Sequence, residues 1–265
     1  MILNSIVTKY NKLRVAELFA GVGGFRLGLD RVRVKNKKAF ETVWSNQFEP
    51  AKKIQIANDV YVKKFGRNNH SEKDIELVLK KFPNIINEHD LLVGGFPCQD
   101  YSVAATLKTS GGIEGKKGVL WWSINDFLEN FQNDRNSPTH YLILENVNRL
   151  LVSPAKRRGK DFAIMLSCLN RLGYAVEWRV INAADYGLPQ RRRRVFMVGY
   201  HKTSNIYKTL SSSSFSDIIN SEGVLASAFS SQAVSEIQEF KLDSDPKKVS
   251  DTFNIEGGKS QFLNS

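Results

Sequence analysis

Arg14-Val15-Ala16-Glu17-Leu18-Phe19 runs directly into Ala20-Gly21-Val22-Gly23-Gly24-Phe25. A mostly apolar run of strand length, then glycines, then an amphipathic segment through Leu29, reads as strand, tight turn and helix. That is the opening of a nucleotide-binding α/β unit. The phosphate fingerprint G-x-G-x-x-G fails, because Arg26 stands at the third glycine position. Such a turn lets the backbone approach a nucleoside or an amino-acid moiety rather than cradle a pyrophosphate, although glycine turns also serve plain α/β packing.

Outward from this unit, Ala39 to Trp44 reads as a second strand, with Ser45-Asn46-Gln47-Phe48-Glu49 at its carboxyl end. In these folds an acidic group there often holds ribose hydroxyls, and Glu49 suits that role as well as an ordinary helix N-terminus. Residues 50–65 pattern as a helix with Ile54, Ala57 and Tyr61 on one face, and Asp74-Ile75 opens a shorter one. Leu91-Leu92-Val93 then meets Gly94-Gly95-Phe96-Pro97-Cys98-Gln99. Pro97 fixes its own φ and keeps Phe96 out of helix, so the chain turns sharply just before the Cys98 sulfur. A lone Cys is ordinarily a small buried apolar residue, and its reading here depends on the stretches that accompany it.

After Gln99-Asp100-Tyr101-Ser102 comes a polar run, Thr106 to Gly118, with four glycines. It reads as a functional lid or as a plain surface loop. Val119-Leu120-Trp121-Trp122 restarts a helix to about Phe131, and Tyr141 to Leu144 is an apolar strand ending in Glu145-Asn146-Val147. A helix over 160–172 carries Cys168 as a core residue, and Ala175 to Ile181 is a strand. Gln190-Arg191-Arg192-Arg193-Arg194 abuts the strand Val195 to Tyr200, where alternation aims Arg192 and Arg194 to one side. Beyond Tyr200 the texture turns polar and serine-rich, with Ala226 to Phe240 as one candidate helix.

The chain has 265 residues, a formal charge of +11 and two cysteines. Residues 201–265 carry six Lys/Arg against eight Asp/Glu, which leaves +13 on residues 1–200. That imbalance points to a polyanionic partner, nucleic acid first. Two cysteines make no disulfide framework and fit a reducing cytoplasm, and no apolar run is long enough to span a membrane. No metal site is expected.

Together these stretches resemble the DNA cytosine-5 methyltransferases. Phe19-Ala20-Gly21-Val22-Gly23-Gly24 is similar to their cofactor motif, Pro97-Cys98-Gln99 to the nucleophile motif, Glu145-Asn146-Val147 to the acid motif, and Gln190 to Arg194 to the Gln-x-Arg-x-Arg motif. The resemblance covers about residues 13–200. It implies an α/β, Rossmann-like S-adenosylmethionine-dependent methyltransferase fold, mostly parallel sheet with helices on both faces. Residues 1–200 become the catalytic and cofactor domain, and 201–265 a linker and the start of an incomplete target recognition region. Cys98, Glu145, Arg192 and Arg194 become catalytic. Phe19, Ala20, Gly21, Gly23, Gly24, Gln47, Phe48, Glu49, Asp74, Ile75, Pro97 and Leu120 become the S-adenosylmethionine pocket, and Gln99, Ser102 and Gln190 touch DNA. The family's usual Glu-Trp pair is replaced by Gln47-Phe48, so Phe48 stacks on adenine while Gln47 or Glu49 takes the ribose.

The implied partners are double-stranded DNA, a second polypeptide carrying the recognition domain and the family's final helix, and a cognate restriction endonuclease. Two other functions stay open on the sequence: a tRNA cytosine-5 methyltransferase, and a binding module that no longer catalyses.

Overall fold

The computed structural model describes residues 12–96, 120–134, 136–154, 157–229 and 241–253. Seven strands hydrogen-bond in the order His70–Ser71, Phe40–Asn46, Leu13–Leu18, Leu91–Gly95, Tyr141–Val147, Arg193–His201, Tyr174–Asn182, and a separate two-stranded ribbon is formed by Arg33–Val34 and Lys37–Lys38. The described residues fall into two compact units. One holds residues 12–96 and 126–144; the other holds 120–125 and the described residues from Glu145 onward.

In the first unit, β1 (Leu13–Leu18) is buried at every position except Arg14, as a strand covered on both faces must be. It leads through the glycine turn to α1 (Gly24–Leu29). β2 (Arg33–Val34) and β3 (Lys37–Lys38) form the ribbon, and β4 (Phe40–Asn46) returns parallel to β1. α2 (Ile56–Phe65), β5 (His70–Ser71), α3 (Ile75–Lys81) and β6 (Leu91–Gly95) follow, with β5 parallel to β4 and β6 parallel to β1. The helix expected over 50–65 starts only at Ile56. Ile54 lies ahead of it and is 71% exposed rather than on the buried face, which belongs to Asn58 and Tyr61.

Helix α4 (Leu120–Glu129) and strand β7 (Tyr141–Val147) are each divided between the units. Within the first unit Phe127 and Phe131 pack on His89 at ring separations of 5.3 and 4.4 Å, and Phe127 meets Trp44 at 6.2 Å. Arg14 closes the start of β1 onto Asp90, with Nε and Nη2 at 3.1 and 2.9 Å from the two carboxylate oxygens.

The second unit is built on α5 (Lys160–Arg171), β8 (Tyr174–Asn182) and β9 (Arg193–His201), the strands pairing antiparallel along their whole length. Cys168 is fully buried in α5, as its pattern requires. After β9 come α6 (Asn205–Leu210), α7 (Val224–Ala228) and α8 (Pro246–Thr252).

Strand β8 holds part of the chain that follows residue 200. The Glu177 carboxylate accepts the Val224 and Leu225 N–H groups at 2.8 and 3.0 Å, capping α7. The Arg179 guanidinium donates to the carbonyls of Phe229 and Ile219. Farther along, the Ser167 hydroxyl donates to the Asp243 carbonyl at 2.7 Å. The helix expected from Ala226 to Phe240 is described only as far as α7, and residues 230–240 lie outside the described residues. Among the described residues no helix is long and apolar enough to cross a membrane.

Candidate functional site

The glycine turn sits at the carboxyl end of β1, and its backbone is unusual at three of five positions. Phe19, Gly21 and Gly23 have φ of 52, 54 and 85°, a region that excludes most side chains. The turn is pinned by Ala20 N–H donating to Asn46 O at 3.0 Å and Gly23 N–H to Ala20 O at 2.8 Å. A Cβ on Gly21 or Gly24 would meet nothing within 4 Å, whereas one on Gly23 would overlap the Phe65 ring. Gly21 and Gly24 therefore border open space, and Gly23 enforces close helix packing. An open cradle of strained backbone fits a nucleoside-bearing ligand.

Gln47 is buried, and its amide oxygen accepts Gly21 N–H at 2.7 Å. Phe48 and Glu49 are half-buried. The Glu49 backbone is held by Gln55 in both directions, at 2.8 and 2.9 Å, while its carboxylate has no hydrogen bond or ion pair among the described residues. Asp74 is the N-cap of α3, accepting Glu76 N–H at 2.8 Å, and Ile75 is buried behind it. Leu120 opens α4 half-buried.

Sequence reasoning missed Glu17. It is 1% exposed, with its carboxylate accepting from the Tyr61 hydroxyl at 3.0 Å and from Arg26 N–H at 3.4 Å. The Arg26 guanidinium in turn donates to the Tyr61 oxygen at 3.0 Å and lies over the Phe65 ring at 4.5 Å. Burial pushes the Glu17 carboxyl up to about 7 against those two hydrogen bonds. An acidic residue inside an apolar strand, two before the turn, was the signal available. These contacts tie the end of β1 to the start of α1 and so fix the turn between them.

In the second unit Glu145 stands near the carboxyl end of β7, two residues before the strand ends. Its Oε1 receives Arg194 Nε at 2.9 Å and lies 3.8 Å from Arg192 Nη2. Both arginines reach one oxygen, although only Arg194 does so from within a strand. Arg194 is in β9 opposite Ile181, and Arg192 precedes the strand, its carbonyl accepting Ala183 N–H at 3.0 Å. Residues 190–194 with Asn148 line a cleft of about 400 Å³. Gln190 is part of that wall, and Asn148 is an addition that the sequence did not single out. Two amide side chains and four guanidinium charges make this cleft a receptor for an oxygen-rich, anionic or carbonyl-bearing group.

Pro97, Cys98, Gln99, Ser102 and the run 106–118 lie outside the described residues, so the nucleophile and lid rest on the sequence.

The sequence profile of the C-5 cytosine-specific DNA methylases matches residues 13–264. The chain is 48% identical to the type II methyltransferase M.Sau3AI of Staphylococcus aureus, over 96% of this chain and 59% of that protein. It is 32% identical to the type II methyltransferase M.HhaI of Haemophilus parahaemolyticus, over 73% of this chain and 51% of that one. The chain thus spans roughly half to three-fifths of the length of these relatives. Among solved structures, a prophage-encoded DNA modification methyltransferase of E. coli superposes with a TM-score of 0.51 at 21% identity, covering 72% of this chain and 47% of that one. A Spodoptera frugiperda DNMT2 superposes with a TM-score of 0.53 at 15% identity, covering 73% and 51%. Both support the mostly parallel methyltransferase fold.

Proposed function

The chain belongs to the C-5 cytosine-specific DNA methylases, and from that premise we propose that it transfers a methyl group from S-adenosylmethionine to carbon 5 of a cytosine in duplex DNA. The observation that carries the reading is Glu145 held by Arg194 and Arg192 at a polar cleft. An acid and a guanidinium within one hydrogen bond of each other match the edge of a cytosine, which offers a carbonyl oxygen beside a ring nitrogen.

Carbon 5 is too weak a nucleophile to take a methyl group unaided. Cys98, as thiolate, adds to carbon 6, and the ring electrons then make carbon 5 enamine-like. Glu145 hydrogen-bonds ring nitrogen 3 as charge develops there, and Arg194 holds the carbonyl oxygen. Arg192 keeps Glu145 placed. S-adenosylmethionine, when bound, supplies the electrophilic methyl group. A base from solvent then takes the carbon 5 proton as the bond from carbon 6 to sulfur breaks, which releases Cys98 as thiolate and restores the ring. A stacked base exposes neither ring face, so the cytosine must first be flipped out, at a cost of a few kcal/mol.

For the cofactor, Gly21 and Gly24 leave the space and Phe48 stacks on the adenine. Gln47 has its amide oxygen engaged by Gly21 N–H, so the Glu49 carboxylate takes the ribose hydroxyls. Asp74 and Ile75 complete the adenine end, and Leu120 and Pro97 the methionine end. Gln99, Ser102 and Gln190 meet the DNA.

Sequence recognition comes from a partner surface, whether a second polypeptide or further chain. Exposed apolar positions of the first unit available to it include Val22, Ile54, Ile56 and Val60, at 53, 71, 67 and 44%. A restriction endonuclease of matching specificity would complete the system.

The test is transfer of labelled methyl groups to mixed-sequence duplex DNA, with and without lysate of the source organism. Label in DNA as 5-methylcytosine, absent with Cys98→Ser, is the expected result. Turnover retained by Cys98→Ser in an active preparation removes the covalent mechanism, and label entering tRNA but not DNA removes the substrate.

A further inference from the structure

We infer that the β2–β3 ribbon is a docking surface for duplex-DNA phosphates, at the opposite end of β1 from the glycine turn. The placement follows from backbone bonds. Leu13 N–H at the start of β1 donates to Ala39 O at 2.9 Å, and Ala39 N–H donates to Val32 O at 3.1 Å, which roots the ribbon at the amino end of the strand. The glycine turn leaves the carboxyl end, and a six-residue strand separates them by about 20 Å. A ligand in the turn and one on the ribbon do not share a site.

The ribbon is built rather than loose. Arg33 pairs with Lys38 and Val34 with Lys37, and Lys35 and Asn36 close the tip with φ of 49 and 63°. Two left-handed residues are what a tight two-residue hairpin turn requires. Val34 is its one buried anchor, while Arg31, Arg33, Lys35, Lys37 and Lys38 are all exposed. The neighbouring acid, Asp30, is engaged: its carboxylate lies 3.4 Å from Lys38 Nζ, and its carbonyl accepts from Arg33 at 2.6 Å. Arg31, Lys35 and Lys37 have no ion pair among the described residues.

Arg33 and Lys38 also face each other directly across the ribbon, a like-charge pair that is destabilising and that the single carboxylate of Asp30 offsets only in part. A hairpin that served only solubility would gain by alternating its signs. A polyanion relieves the repulsion. The ribbon exposes no large apolar or aromatic side chain of the kind that centres a protein–protein interface, whereas phosphate binding needs only the charges. The inference rests on the proposed function in one respect, that the polyanion is duplex DNA.

The experiment is binding of a labelled, non-specific duplex of about 30 base pairs by fluorescence anisotropy, without cofactor, across a salt series. The full chain is compared with Arg31→Gln/Lys35→Gln/Lys37→Gln. A second variant, Lys80→Gln/Lys81→Gln/Lys247→Gln, removes the same charge elsewhere. With each phosphate contact adding about 0.9 to the slope of log affinity against log salt, loss of three lowers it by about 3. The parent's advantage over the ribbon variant then shrinks roughly 40-fold between about 50 and 200 mM salt. An unchanged slope in the ribbon variant overturns the inference while leaving the DNA reading intact. An equal drop in the second variant also overturns it, since net charge alone would explain the effect. A parent chain that fails to bind duplex even at about 50 mM salt removes the DNA reading and the inference with it.

Discussion

Replacing Glu17 with glutamine should change how stability depends on pH, by an amount the structure sets. The Glu17 carboxyl is raised by burial from 4.5 to about 7. In the pH interval between those values the native chain keeps a proton that the unfolded chain releases. The stabilisation is therefore fully present below pH 4.5 and is lost as pH rises through about 7. At 1.36 kcal/mol for each pH unit, the total is about 3 kcal/mol. His89 works in the opposite sense. Its buried imidazole, bonded to Asn87 O and Thr139 Oγ1, is pushed from 6.5 down to about 4, so its contribution is present above pH 6.5 and lost as pH falls to about 4. The two slopes overlap and largely cancel in the parent chain. A glutamine side chain keeps the shape but cannot ionise, which unmasks the His89 slope. The assay is urea unfolding followed by tryptophan fluorescence at pH steps from about 4.5 to 8, for parent and Glu17→Gln. Relative to the variant, the parent should lose about 3 kcal/mol across that range. A difference that stays flat with pH would refute the burial argument, since Tyr61, Arg26 and Asp30, the other groups acting on Glu17, are common to both chains.

Three further outcomes follow from the same geometry. Gly24→Ala meets nothing within 4 Å and has an ordinary φ, so it should weaken S-adenosylmethionine binding in a calorimetric titration while leaving the melting temperature unchanged or higher; Gly23→Ala should lower the melting temperature through the Phe65 ring and its φ of 85°. Arg194→Ala removes the 2.9 Å partner of Glu145 and should lower methyl transfer by about 10²–10³-fold with folding intact, read as kcat on duplex DNA. Arg179→Ala frees the carbonyls of Ile219 and Phe229 and should cost about 1–3 kcal/mol, seen as faster hydrogen exchange in residues 219–229; unchanged exchange there would mean the clamp is incidental.

Much of the site was legible because its markers are local. Positive φ at Gly21 and Gly23 follows from residues that tolerate it, whereas the shared reach of Arg192 and Arg194 depends on Arg192 lying just ahead of β9, which strand alternation does not supply. Glu17 was missed because its meaning lies in Tyr61 and Arg26, 44 and 9 residues away. Ile54 fits the helical period yet lies ahead of α2, because period alone does not say whether a neighbour exists to cover it.

By itself the sequence set the candidate residues and their order: the glycine turn, Cys98, Glu145 and the arginine run, each defined by residue type and immediate neighbours. The tertiary structure decided which carboxylates are engaged and by whom. Glu145 is paired with Arg194, Glu177 caps α7, Glu17 is buried under Tyr61, and Glu49 keeps a carboxylate with no partner among the described residues. It also decided that residues 219–229 are held on β8 rather than trailing from it. Ionisation and burial depend on groups brought together from distant parts of the chain, and a linear pattern holds no distances between them.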